Sequence, residues 1–220
     1  MRVLEAVDLY RFYHAEEEET LALRGVSLYV EEGELVAVMG PSGCGKTTLL
    51  ACLAGLDEPD GGYVMLNGSR LTRRPEPERA ARRGADIGIL LQSNNLIGHL
   101  SIEENIRLQM RLARKLSEQR LNQLITLVGL QERRRAYPSQ LSGGEAARAG
   151  LAVALATAPK VLLADEPTGE VDAETEAHIL RLFETRRDNG DATLVATHSQ
   201  ALAERADRIV HLVDGRVIDG

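Results

Sequence analysis

The chain has 220 residues and a formal net charge of −7; 44% of its residues are hydrophobic, only 3% are aromatic, and it contains no tryptophan. This length allows one sizeable core, which must be aliphatic, as in a parallel sheet covered by helices. The acidic balance argues against a nucleic-acid binder, and the two cysteines, Cys44 and Cys52, predict no disulfide framework. We expect no signal segment and no membrane span, because no apolar run approaches the roughly 20 residues that a span needs.

The first 34 residues predict β-structure, with apolar stretches at residues 3–7 and 21–30. Tyr10, Phe12 and Tyr13 lie between these stretches and make up a large share of the aromatic residues. Such rings are typical of edge-strand packing. They could also form a platform for a nucleotide base, because aromatic faces stack on one another.

A glycine-rich stretch, GPSGCGKTT (residues 40–48), follows an apolar run at residues 35–39. It fits the phosphate-binding P-loop, in which glycines let backbone N–H groups surround an anion. Lys46 would reach the β- and γ-phosphates, and Thr47 would offer its hydroxyl to Mg²⁺. The apolar run predicts a buried strand, and residues 48–54 predict a helix that ends at Gly55. This context disfavours a chance match to a glycine-rich turn.

The next segment predicts a strand over residues 63–66 that enters a tight turn at Asn67-Gly68. Dense arginines between residues 73 and 83 are typical of a solvated surface. Residues 87–91 predict another buried strand, which ends at Gln92.

Helical periodicity dominates residues 93–158. Ser101 is a candidate N-cap for a helix over residues 102–108, and a second helix begins near Ser117. Residues 146–157 predict a helix of small residues. The preceding stretch, Ser142, Gly143 and Gly144, is a second candidate anion site, the alternative being an ordinary helix cap.

Strands and helices alternate again after residue 160. A strand over 161–164 ends in Asp165-Glu166, a polar helix covers about 174–187, and a strand over 193–197 ends at His198. A terminal hairpin turns at Asp214-Gly215.

Four polar groups thus follow apolar strands, namely the P-loop, Gln92, Asp165-Glu166 and His198. In an open α/β sheet the carboxyl ends of the strands share one edge, where ligands bind. We expect Asp165 and Thr47 to hold Mg²⁺ and Glu166 to polarise an attacking water. His198 would hold the γ-phosphate side, although a lone histidine is more often structural.

Together these stretches resemble the nucleotide-binding subunit of an ABC transporter. GPSGCGKTT resembles Walker A, Gln92 the Q-loop, LSGGE the signature, VLLADE Walker B, residues 169–172 the D-loop, and His198 the switch histidine. Within the family the chain is most similar to the bacterial lipoprotein-releasing and macrolide-exporter ATPases.

The resemblance implies one α/β P-loop NTPase domain of the ABC type over residues 1–220. It implies a mainly parallel core sheet, an antiparallel β-lobe (about 1–34 and 62–91) and a helical lobe (about 93–145), with the remainder as catalytic core. It also implies Mg-dependent ATP hydrolysis, with ATP and Mg²⁺ as cofactors.

The resemblance also implies roles for individual residues. Those implied to act in catalysis are Glu166, His198 and Gln92, and those implied to contact Mg²⁺ are Thr47, Gln92 and Asp165. The residues implied to bind ATP are Tyr13, Gly40, Pro41, Ser42, Gly43, Cys44, Gly45, Lys46, Thr47, Thr48, Gln92, Asp165, His198 and, from a second subunit, Ser142, Gly143 and Gly144. Tyr13 would stack on adenine.

The implied partners are a second copy, arranged head to tail, and an integral membrane permease contacted by residues near 93–115. The implied location is cytoplasmic, on the inner face of the cell membrane, with no nucleic acid bound. An ABC-type ATPase that drives a non-transport membrane partner, such as a cell-wall remodelling regulator, would carry the same motifs. A chromosome or repair ATPase would need a long coiled-coil insertion, and no sustained heptads occur here.

The chain departs from the family pattern at several positions. Ala146 and Ala147 replace glutamines, Val153 replaces a common arginine, and Gly150 lies within a helix. Cys44 stands where serine is usual. A thiolate could be favoured among the N–H groups of the loop, so we expect alkylation of Cys44 to block ATP binding, the alternative being a small tolerated residue.

Overall fold

The computed structural model describes residues 1–15, 18–169 and 171–219, and these ranges contain ten strands and seven α-helices. The strands are β1 Arg2–Ala15, β2 Glu18–Glu31, β3 Leu35–Met39, β4 Gly61–Leu66, β5 Ser69–Arg70, β6 Ile87–Leu90, β7 Val161–Asp165, β8 Ala192–Thr197, β9 Arg208–Val213 and β10 Arg216–Asp219. The helices are α1 Lys46–Leu53, α2 Glu76–Asp86, α3 Ile102–Leu112, α4 Glu118–Leu127, α5 Gly143–Ala154, α6 Ala173–Asp188 and α7 Gln200–Ala203.

The central sheet has the strand order β10-β9-β3-β8-β7-β6. The five strands from β9 to β6 are parallel, and β10 pairs antiparallel with β9. Strands β7 and β8 are buried along their whole length, which explains their continuous apolar sequences. The carboxyl ends of the parallel strands therefore share one edge, as predicted.

A second, antiparallel sheet has the order β2-β1-β4-β5. Its β4–β5 hairpin turns at Asn67 and Gly68, which both have positive φ (49° and 70°), as the predicted tight turn requires. Helix α1 packs between the two sheets, and its Leu49 and Leu53 share one apolar core with Leu4 and Leu23 of the second sheet. The P-loop is thereby held between both sheets.

The predicted β-lobe boundary near residue 91 differs from the structure. The antiparallel sheet ends at Arg70, and β6 pairs in parallel with β7 in the central sheet. The apolar residues of β6 are mostly buried there, beside another apolar strand.

The arginine-rich run is only partly solvated: Arg73 and Arg74 are exposed, but the side chains of Arg79 and Arg83 are mostly covered. Residues 76–86 form α2, in which no residue is completely buried. Arg79 pairs with Glu58 and Glu76, and Arg83 pairs with Glu76 at 3.1 Å. Ion pairs within the helix, and one to Glu58 in the loop after α1, thus hold a helix in which no residue is completely buried.

Helices α3, α4 and α5 share a second apolar core on the other face of the central sheet. Ser101 caps α3, as predicted, in a capping box with Glu104. Helix α4 begins near Ser117, also as predicted, and the Ser117 side chain caps it. Two short 3₁₀ turns, Gln131–Arg133 and Pro138–Gln140, lead into α5. In the described ranges, no helix combines the length and apolar character that crossing a membrane requires.

Candidate functional site

A cleft of about 780 Å³ lies at the carboxyl edge of the central sheet. It brings together residues from β1, the P-loop and the ends of three parallel strands. The predicted site residues that line it are Tyr13, Gly40, Pro41, Ser42, Gly43, Gly45, Lys46, Thr47, Thr48, Gln92, Asp165, Glu166 and His198.

The P-loop wraps closely against its neighbours, and this explains its glycines. Gly45 has a φ of 105°, and a Cβ there would lie 2.5 Å from the Ala22 carbonyl oxygen. A Cβ at Gly40 would lie 2.0 Å from the Leu212 carbonyl oxygen. Helix α1 begins directly after Gly45 with no side-chain cap and no acidic residue in its first turn. Its first N–H groups are therefore available to an anion in the cleft.

Lys46 is buried at the base of the cleft. Its Nζ donates hydrogen bonds to the carbonyl oxygens of Gly40 (2.8 Å) and Pro41 (3.2 Å). These bonds fold the ammonium group back over the loop, so that its charge adds to that of the helix N-terminus.

Thr47 and Asp165 are joined across the cleft, because the Thr47 hydroxyl donates to Asp165 Oδ2 at 2.7 Å. Burial raises the pKa of Asp165, and the adjacent Glu166 acts in the same direction, whereas Thr47 and Lys46 lower it. A nearly buried carboxylate beside a second carboxylate favours a nearby cation. A hydroxyl and a carboxylate are also the oxygen donors that Mg²⁺ prefers, so these residues fit the ion.

The site offers few further protein ligands to a metal. Among the described residues, no group of three or more His, Cys, Asp or Glu side chains is placed to hold an ion. Gln92 lines the same cleft. Mg²⁺ retains several waters and often binds through one or two protein groups and substrate phosphates, so a sparse ligand set suits it.

Glu166 and His198 form a pair at the mouth of the cleft. His198 Nδ1 lies 2.9 Å from Glu166 Oε2, and the His198 side chain is 71% exposed. The same oxygen accepts from the His198 backbone N–H (3.3 Å) and the Thr197 hydroxyl (3.3 Å). Glu166 has a φ of 45°, a left-handed conformation at the end of β7 that non-glycine residues rarely adopt. A carboxylate held this way can accept a proton from a water in the cleft.

The signature residues lie outside this cleft, although Gly143 lines an adjoining cavity together with Gln92, Glu166 and His198. The described residues that line the cleft do not include Ser142, Gly143 or Gly144. Ser142 Oγ accepts from the Glu145 backbone N–H (3.2 Å), and Glu145 Oε2 accepts from the Ser142 N–H (2.9 Å). This capping box begins α5. Within one chain, the start of α5 is therefore capped by its own Glu145 and does not line the P-loop cleft.

Comparison with known proteins identifies the family. Residues 23–169 match the family model described as ABC transporter. The chain belongs to this family. An ABC transporter ATP-binding protein of Methanocaldococcus jannaschii is 39% identical over 220 residues, which are 99% of this chain and 98% of the relative. The lipoprotein-releasing system ATP-binding protein of Maricaulis maris is 43% identical over 219 residues, which are 98% and 96% of the two chains.

A solved structure supports the same assignment. The dimeric post-hydrolysis state of an ATP-binding cassette, bound to ADP and Pi, has a TM-score of 0.94 and 32% identity, covering 98% of this chain and 97% of that one. The chain is therefore an ABC ATPase, as predicted. The expected fold class and the likeness to the lipoprotein-releasing group are also confirmed.

Two departures of this ABC ATPase from the family pattern lie at a second cavity of about 470 Å³. Ala146 and Ala147 line it, opposite Gln92. A Cβ at Gly150 would lie 2.9 Å from Asn95 Cβ, and the Asn95 amide is tied to both backbone groups of Leu91. Gly150 thus leaves room for the segment that carries Gln92.

Val153 packs against the second apolar core, and nothing in the structure explains why it replaces an arginine. In the D-loop, Asp172 caps α6 by accepting from the Thr175 N–H at 2.8 Å. Glu170 lies outside the described residues.

Cys44 does not have the accessible thiol that we expected. Its side chain is 4% exposed and belongs to the apolar core between the sheets. Its sulfur lies 2.7 Å from the position that a Cβ at Gly40 would take, and Cys44 does not line the cleft. The structure supports the alternative interpretation, a small residue that fills a tight space. Burial also raises the pKa of the second thiol, Cys52, to about 12.

The sequence did not reveal the surroundings of Tyr13. The Tyr13 hydroxyl donates to Asp57 Oδ2 at 2.8 Å, and the same oxygen accepts from Arg11 Nε at 2.8 Å. The residues are 44 and 46 positions apart in the chain. Only the P-loop helix, which returns the chain to the end of β1, makes them neighbours.

Proposed function

We propose that this chain is the ATP-hydrolysing subunit of an ABC transporter that binds Mg-ATP in the cleft and drives a separate membrane permease. The observation that carries the proposal is the meeting of three groups in one cleft. These groups are the uncapped start of α1 with Lys46, the Thr47–Asp165 pair at 2.7 Å, and the Glu166–His198 pair at 2.9 Å.

Each group has a role in hydrolysis. The loop N–H groups and Lys46 bind the phosphates, and Thr47, Asp165 and Gln92 would hold Mg²⁺. When bound, Mg²⁺ neutralises charge on the β- and γ-phosphate oxygens. Glu166 accepts a proton from the attacking water, and His198 orients Glu166 and contacts the γ-phosphate. Tyr13 stacks on the base.

A second copy would complete the site. Ser142, Gly143 and Gly144 lie apart from the cleft of their own chain, and the solved relative at TM-score 0.94 is described as dimeric. In a head-to-tail pair, the α5 start of one copy would face the P-loop of the other, with ATP between them. The permease would place this assembly at the cytoplasmic face of the membrane. No cargo is assigned, because similar relatives are named for both methionine import and lipoprotein release.

The test of hydrolysis is Glu166→Gln. We expect ATP binding to remain and turnover to fall by about 10²–10⁴-fold, the range for loss of a general base. The variant should also accumulate as an ATP-bound dimer on size-exclusion chromatography. The matched control is Glu184→Gln on α6, which pairs with Arg205 away from the cleft. If Glu166→Gln hydrolysed ATP at the wild-type rate, Glu166 would not be the group that accepts the proton of the attacking water.

Mixing variants tests the shared site. Lys46→Ala damages one half and Ser142→Glu the other, so each variant alone should be inactive. A mixture of the two forms heterodimers with one intact composite site and should regain activity. The control is the double variant mixed with Lys46→Ala, because neither its heterodimers nor its homodimers contain an intact composite site. Absence of any gain in the first mixture, relative to the control, would contradict the trans arrangement.

A further inference from the structure

The rim of the cleft carries a network of charged residues that P-loop chemistry does not explain. Arg11 and Tyr13 lie near the end of β1, and Asp57 and Asp60 lie in the loop after α1. Arg11 donates to Asp57 Oδ2 (2.8 Å) and to Asp60 Oδ2 (3.0 Å). Asp60 Oδ2 also accepts from the Phe12 backbone N–H at 2.7 Å. The end of β1 is therefore fastened to this loop by several charge-assisted bonds.

The network fixes the Tyr13 ring at two places. Asp57 holds its hydroxyl, and the Arg11 guanidinium carbon lies 4.7 Å from the ring centroid, so it covers one face of the ring. Burial raises the pKa of Tyr13, and its hydroxyl stays protonated as a donor.

Part of the Tyr13 side chain is accessible from the cleft. Tyr13 lines the cleft together with Thr48, whereas Arg11 does not line it. The Tyr13 residue is 39% exposed, and the Arg11 side chain is only 21% exposed. The exposed face of Tyr13 is therefore the one on the side of the P-loop.

We infer that Arg11 and Asp57 are positioning residues for nucleotide binding: they clamp Tyr13 so that a purine base stacks on its one open face. This inference rests on the proposed function. Ordering the ring before the ligand arrives removes part of the entropic cost of stacking. The cation on the far face also draws electron density from the ring, which favours an electron-rich base.

A purely structural role would make a different prediction. If the network only fastened β1 to the loop, its loss would weaken every ligand of the P-loop alike. If the network instead positions Tyr13 for stacking, its loss would weaken only ligands that carry a base. Inorganic tripolyphosphate, which has phosphates but no base, separates the two roles.

The experiment measures the dissociation constants of ATP and Mg-tripolyphosphate for the full chain. In Arg11→Met we expect ATP to bind about 3- to 10-fold more weakly and tripolyphosphate to change less than twofold, as part of a stacking contribution of about 5- to 150-fold. Asp57→Asn retains an acceptor oxygen. It should therefore produce a smaller change in the ratio of the ATP dissociation constant to the tripolyphosphate dissociation constant. Arg205→Met, an ion-paired arginine away from the cleft, is the control for lost charge.

A double-variant cycle makes the test sharper. Arg11→Met should have no further effect on the ATP-to-tripolyphosphate ratio once Tyr13→Ala has removed the ring. Equal weakening of both ligands, or an unchanged ratio in Arg11→Met and Asp57→Asn, overturns the inference. A wild-type chain that binds tripolyphosphate as tightly as ATP also overturns it, and in that case the Glu166→Gln result still decides the proposed function.

Discussion

The starts of α1 and α5 are both glycine-rich, and both were predicted to bind phosphate, but they differ in what already occupies them. Helix α1 begins after left-handed Gly45 with no side-chain cap, and Lys46 adds positive charge. Helix α5 begins with Ser142 and Glu145 in a reciprocal cap, and Arg133 pairs with Glu145 at 3.0 Å. The first start is free to bind an anion alone. The second already has a carboxylate at its N-terminus, which suits a contact that forms only when a second copy approaches.

The largest expected effect is that of Gly45→Ala, which tests whether α1 depends on its loop geometry. The new Cβ combines a left-handed backbone with a 2.5 Å approach to the Ala22 carbonyl, together about 2–6 kcal/mol of lost stability. ATP binding should be lost as well. Gly43→Ala is the control, because its φ of 78° is unfavourable but no atom lies within 4 Å, so about 1–2 kcal/mol is expected. If Gly45→Ala and Gly43→Ala lost equal stability in urea unfolding and equal affinity in ATP titration, crowding against the Ala22 carbonyl would not be the cause.

Ser142→Ala tests the capped start. Loss of the cap should lower the free energy of unfolding by about 0.5–2 kcal/mol, with no change in the affinity of the isolated chain for ATP. Differential scanning calorimetry and nucleotide titration at low protein concentration measure the two effects. Weaker ATP binding by the monomeric variant would mean that the α5 start already contributes to the cleft of its own chain.

Asp165→Asn tests how the first turn of α1 is held through Thr47. Folding raises the pKa of Asp165, so the ionised carboxylate lowers stability at neutral pH. The variant should gain up to about 1 kcal/mol, or about 2–4 °C in Tm, and lose Mg-dependent hydrolysis. The gain should shrink as the pH falls through the pKa of the folded carboxyl. A variant less stable than wild type would show that the Thr47 hydrogen bond outweighs burial.

Glu145→Gln has the smallest expected effect and tests the charge at α5. Hydrogen bonding by the Ser142 N–H, aided by Arg133, lowers the pKa of Glu145. Its contribution to stability is therefore present above the ordinary glutamate pKa and is lost as the pH falls through the lowered value. The Tm difference between wild type and variant should be larger at pH 7 than at pH 3. An equal Tm difference at pH 7 and pH 3 would show that the charge of the Glu145 carboxylate does not stabilise the start of α5.

Much of the fold could be predicted from local patterns. The apolar runs of β3, β7 and β8, the Asn67-Gly68 turn and the serine caps each have a local physical cause. Helix α2 was missed because its sequence has no large apolar side chain, only small residues such as Ala80 and Ala85 among arginines, glutamates and prolines. The assignment of β6 to the central sheet depends on its pairing with β7, more than 70 positions later in the chain.

The site could be predicted in part, for a similar reason. The P-loop and the residues that follow the strands are linked by the rule that parallel strands end at one edge. The burial of Cys44 depends on β9 and β10, which pack against the loop from the far end of the chain: the Gly215 N–H donates to the Cys44 carbonyl at 3.0 Å. The clamp on Tyr13 depends equally on tertiary contact, because Asp57 carries no local motif.

Helix α2 has a consequence for the dynamics of the molecule. A segment that completely buries no residue and is held largely by arginine–glutamate pairs has little hydrophobic free energy to lose on opening. Screening by salt weakens such pairs. This segment should therefore exchange its amide hydrogens and admit proteases before the sheets do, and more readily as ionic strength rises.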